Sequence, residues 1–91
     1  MKEITEEKLL KYFDVTAKAL KKVKISEGFE EDGENILDMV KRYYSDAKYY
    51  YDKGDFVTAF AALNYAHGWL DCGARIKIFD VDDDQLFVLP K

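Results

Sequence analysis

The sequence predicts an all-α fold, an antiparallel up-and-down three-helix bundle with a short C-terminal tail, from three observations. Apolar residues recur with the 3.6-residue period of a helix over three long stretches. Lys53-Gly54-Asp55-Phe56 leaves so short a link between the second and third stretches that they must run antiparallel. The 91 residues, 48% hydrophobic and 15% aromatic, make one folded domain rather than a disordered or low-complexity chain. A chain this short buries only about 60–65% of the surface that it exposes unfolded, so each large apolar side chain counts. The expected organisation is a bundle over residues 1–80 and a tail, acidic and then apolar, over residues 81–91.

The first helix is read over residues 5–25. Leu9, Phe13, Thr16, Ala17, Leu20 and Val23 share one face, and Glu7–Lys11 and Asp14–Lys18 stand at i,i+4 on the other. Thr5 is the expected N-cap, with Glu6 and Glu7 in the first turn. Lys18, Lys21, Lys22 and Lys24 read as a helix C-terminus complementing its dipole rather than as a binding patch.

Residues 26–35 carry two glycines and five acids and read as a solvated connector, with Phe29 anchoring it to the core. The acids lack the alternating ligands, central Gly and terminal Glu of a calcium loop. The second helix follows over about residues 35–53, its apolar stripe formed by Ile36, Val40, Tyr43, Ala47, Tyr50 and Tyr51. Gly54 is expected to end it in a left-handed conformation, and Asp55 to cap the third helix. The hinge around Gly54 is similar to that of a tetratricopeptide repeat, but no second copy stands at a 34-residue period.

The third helix, read from Asp55 to Phe79, holds the candidate sites. Phe56, Ala59, Phe60, Leu63, Ala66, Leu70 and Ala74 form its core face. Beside that face Asn64, His67, Asp71 and Arg75 make a polar strip, in which His67, Asp71 and Arg75 follow one turn apart. Two readings stay open: a satisfied internal network, or a ligand site in which Arg75 binds a small anion or nucleotide and His67 titrates near neutrality. On the back of the helix lie Tyr65, Trp69, Cys72 and Ile76, the residue types of interface hot spots. Two covers for that surface are weighed. One is the chain's own tail, whose Leu86-Phe87-Val88-Leu89 segment needs burial, and the other is another protein chain.

Composition limits the function classes. Fourteen basic against eighteen acidic side chains give −4, the wrong sign for a dedicated nucleic-acid binder. A single Cys72 excludes an internal disulfide and a Cys-x-x-Cys zinc or redox pair. No serine or cysteine stands beside His67 as a nucleophile, so no catalytic residue, metal ligand or cofactor is assigned and the protein is read as a non-enzyme. The polar first residues and the lack of a long apolar run point to the cytoplasm rather than to a membrane. Few Asn, Gln and Cys beside many Lys and Glu suggest a thermophilic source.

The stretch from Tyr44 to Phe79, above all Asn64-Tyr65-Ala66-His67-Gly68-Trp69-Leu70-Asp71, resembles an uncharacterised archaeal family, domain of unknown function 357. The resemblance implies a compact up-and-down three-helix bundle of archaeal origin and brings no activity, substrate or catalytic residue. A looser likeness to the helical partners of minimal nucleotidyltransferases rests on the Gly54-Asp55-Phe56 hinge before an Ala-rich helix. The Arg-x4-His signature of their ribonuclease branch is missing. The functional expectation is a small non-catalytic interaction or adaptor module. It would meet a protein partner or a second copy through Tyr65, Trp69, Ile76 and Phe87 on the outer face of helix three and the tail. The alternative is an anion- or nucleotide-binding domain centred on the polar strip.

Overall fold

A computed structural model describes residues 4–89; the first three and last two residues of the two expected stretches lie outside the described residues. Three helices form, α1 (Glu6–Lys22), α2 (Glu30–Asp52) and α3 (Phe56–Arg75), and the fold is an all-α bundle as expected. Thr5 caps α1 by accepting from the Lys8 amide, and Asp55 caps α3 by accepting from the Thr58 amide. Gly54 sits at φ 80°, the left-handed turn that folds α2 back onto α3.

The packing is lopsided. Backbones of both α1 and α2 approach α3 closely, α2 the more extensively, while those of α1 and α2 stay apart. Small residues explain the close approach: Ala47 on α2 and Ala59, Ala66 and Ala74 on α3 are buried at the contact. The wider α1–α2 gap is filled by rings, with Phe13 edge-on to Tyr44 and to Tyr51. Tyr51 also donates its hydroxyl proton to Glu6.

Four boundary expectations are corrected. The connector is shorter than residues 26–35, because α2 already starts at Glu30 and takes in Gly33. Gly33 is a packing residue, not a breaker: a Cβ there would lie 2.7 Å from an Ile25 methyl. Ile25 therefore anchors the connector, and Phe29 is exposed. The third correction is that α3 stops at Arg75, short of Phe79. Lys77 turns left-handed at φ 65°, and the amides of Ile78 and Phe79 both donate to the Gly73 carbonyl. Phe79 then pairs antiparallel with Ile25, through Ser26 N to Ile78 O at 2.8 Å and Asp80 N to Lys24 O at 2.7 Å. Finally, α1 ends at Lys22, which frees Val23–Ser26 to run extended beside this return.

The turn works because Phe79 lies on a glycine. A Cβ at Gly73 would fall 2.4 Å from two ring carbons of Phe79, itself 2% exposed and unable to retreat. Gly73→Ala should therefore lower stability by about 1–3 kcal/mol in urea unfolding, although alanine is the better helix former. A neutral or stabilising result would mean that Phe79 does not sit where described.

Candidate functional site

The polar strip on α3 is built from one helical turn. His67 and Asp71 stand at i,i+4, and both face the groove between α1 and α3 where the tail lies. His67 Nδ1 is 3.0 Å from Thr16 Oγ1 on α1, and Nε2 is 2.7 Å from the Leu86 carbonyl oxygen. A carbonyl can only accept, so Nε2 carries a proton and donates to Leu86. In the neutral ring, Nδ1 then accepts the Thr16 hydroxyl proton. Thr16 is 2% exposed, a polar group inside the core, and the imidazole satisfies it.

Asp71 Oδ1 accepts the Val88 amide at 2.9 Å. It stands 3.7 Å from His67 Nε2, near enough to interact electrostatically but too far for a hydrogen bond. Two side chains one turn apart on a helix thus grip a carbonyl and an amide two residues apart on the tail. The tail docks in cis. Leu86 and Phe87 are 8% and 3% exposed inside the main core cluster. Phe87, expected at an interface with another chain, is instead a core residue, because this grip turns its ring inward.

The other strip residues are not brought together with this pair. Asn64 is exposed and lines a shallow groove with Tyr65, Gly68, Trp69 and Cys72. Arg75 is exposed in the last turn of α3, where it complements the helix dipole. Among the described residues no ion pair joins Asp71 to Arg75, so the His67–Asp71–Arg75 series does not form one network. No group of three or more His, Cys, Asp and Glu side chains among the described residues could hold a metal ion. Nor is any described helix long and apolar enough to cross a membrane.

Sequence reasoning missed two contributors to the grip. From sequence Thr16 reads only as part of the buried face of α1, though a buried hydroxyl there calls for a partner. Lys22, read as a dipole complement, bonds Asp83 Oδ2 at 2.9 Å, and Asp83 Oδ1 accepts the Gln85 amide at 3.0 Å. The Asp83 carbonyl accepts from Leu86 and Phe87, so the acidic run makes a turn that aims both side chains at the core. The bond from Lys22, then that from the Gln85 amide, holds the Asp83 carboxyl below the usual carboxylate range, and the bond to Asp83 raises Lys22.

The back of α3 stays uncovered by the tail. Tyr65 is 52% and Ile76 56% exposed. Trp69 is half-buried, one edge against the core cluster. Tyr65 lies edge-on between Tyr43 on α2, at 4.6 Å, and Trp69, at 6.3 Å. Along α3 the exposed residues are Val57, Ala61, Asn64, Tyr65, Gly68, Cys72 and Arg75, so one of seven is charged. On α1 seven of nine exposed residues are charged, and on α2 ten of thirteen. Charge has been withheld from one face alone.

The matched family covers residues 11–79, more than half of the chain, and is described as a protein of unknown function, DUF357. The chain belongs to the DUF357 family. The DUF357 match takes in His67, Asp71 and the whole of α3, and it ends at Phe79, before the segment that His67 and Asp71 hold. No curated protein and no solved structure matches the chain.

Two outcomes are expected at the grip. His67→Ala leaves the Thr16 hydroxyl and the Leu86 carbonyl without their partner and should cost about 1–3 kcal/mol in urea unfolding. It should also raise amide exchange at Val88; unchanged exchange would separate His67 from the tail. For Asp83, a depressed folded-state value means that its contribution is present above the ordinary carboxylate value and lost as pH falls through the lowered one. Followed by NMR from about pH 6 to about pH 2, the Gln85 amide should titrate with a midpoint below about 3.9. A midpoint at the ordinary value would dissolve the Lys22–Asp83 tie.

Proposed function

We propose that this DUF357 protein is a small, non-catalytic interaction module that docks through the outer face of α3. The observation that carries this reading is the charge-free surface from Val57 to Cys72, with Tyr65 and the edge of Trp69 at its centre, on a chain whose other helices are densely charged. Depletion of charge together with aromatic enrichment marks the cores of protein interfaces. Ile76 extends the face at its C-terminal end.

The anion- or nucleotide-binding alternative draws less support. It needs Asn64, His67, Asp71 and Arg75 to converge, whereas His67 and Asp71 hold the tail and Asn64 lines a groove that neither of them lines. The hydroxyl that pairs with His67, that of Thr16, is buried away from any substrate, which favours a non-enzyme, and the net charge of −4 disfavours nucleic acid. A lone exposed thiol, Cys72, suits a reducing compartment such as the cytoplasm.

The test is co-purification from native lysate with the full chain and with a Tyr65→Glu/Ile76→Glu variant. Both sites are exposed, so helix content should stay unchanged while any associated chain, another copy included, is lost. Equal recovery by both forms would remove α3 from the interaction.

A further inference from the structure

We infer that the partner of this face is a second copy of the same chain, crossing α3 against α3 at Gly68. This rests on the outer face of α3 being a docking surface at all, and it names the occupant.

Charge supplies the first argument. A two-fold contact sets the residues at its axis against their own equivalents, so any charge there repels itself. The chain carries −4, yet from Val57 to Cys72 the exposed side of α3 offers no charge to repel. A strongly basic partner, the natural complement to an acidic protein, would find nothing there to pair with. A like copy meets itself without penalty.

Gly68 supplies the second. It lies mid-helix at an ordinary negative φ, and a Cβ built on it would meet nothing within 4 Å. The chain's own fold therefore has no use for a glycine there, although glycine is among the poorest helix formers. Asn64 and Cys72 stand one turn to either side, and the Tyr65 and Trp69 rings flank the same groove. A low centre bordered by aromatic rings lets a second helix approach closely and places those rings beside it.

The other available cover supplies the third. The chain's own tail, the other candidate cover, is already seated in the α1–α3 groove.

A two-fold axis through Gly68, normal to the face, sets Asn64 of one copy opposite Cys72 of the other. Within one chain these residues are two turns apart, about 12 Å, too far for a disulfide. Asn64→Cys should therefore oxidise to a covalent dimer well beyond the level of the unaltered chain, and adding Tyr65→Glu should abolish it. Light scattering of the unaltered chain should show a concentration-dependent dimer. Gly68→Ala should weaken that dimer roughly tenfold while raising the melting temperature of the diluted monomer by about 4–8 °C. A merely structural glycine would not move these two readouts in opposite directions. A chain that stays monomeric up to about 1 mM, with no disulfide-linked dimer of the Asn64→Cys variant, overturns the second copy. If that monomer still captures a different protein that Tyr65→Glu releases, the docking surface stands and only its occupant is wrong. If it captures nothing, both fall.

Discussion

Helix α3 is the wall against which everything else in this protein is built. The backbones of α1 and α2 approach it and not each other, and the small side chains of Ala47, Ala59, Ala66 and Ala74 set how near they come. Close packing on one helix leaves a wide space between the other two, and Phe13, Tyr44 and Tyr51 occupy it. A domain of this size has little apolar area in reserve, so the tail becomes part of the core rather than an appendage. Leu86 and Phe87 close the end of the main cluster that Ile78 and Phe79 begin.

That closure explains the polar strip. A histidine and an aspartate on an otherwise apolar helix suggest chemistry, yet each here answers a backbone or core requirement. The tail needs an acceptor for the Val88 amide and a donor for the Leu86 carbonyl, and Thr16 needs a partner inside the bundle. His67 and Asp71 meet these three demands from a single helical turn. With that side of α3 occupied by the chain itself, the surface around Tyr65 and Gly68 is the part of the helix left to face outward.

Much of this was legible in the sequence. The three helices, the Thr5 and Asp55 caps, the Gly54 turn and the outward Tyr65 all follow from local periodicity and capping chemistry. What escaped depends on contacts distant in the chain. Gly33 reads as a breaker until Ile25 is known to lie on it, and α3 reads as continuing to Phe79 until Gly73 is seen to make room for that ring. Likewise the spacing of Asn64, His67, Asp71 and Arg75 suggested one strip. Packing divides it, because a segment some twenty residues downstream takes the middle pair. The residue surplus around Tyr65 was visible, but only the docked tail shows which part remains uncovered.

The tail covers one side of α3 and leaves the other open. A neutral gadolinium chelate, added to the full chain at high dilution, broadens NMR signals according to their exposure and reads both sides at once. Signals of Tyr65, Gly68 and Ile76 should broaden strongly while those of Leu86 and Phe87 stay sharp. Sharp Tyr65 and Gly68 signals beside broadened Leu86 and Phe87 signals would contradict it, placing the tail over the outer face or off the bundle altogether.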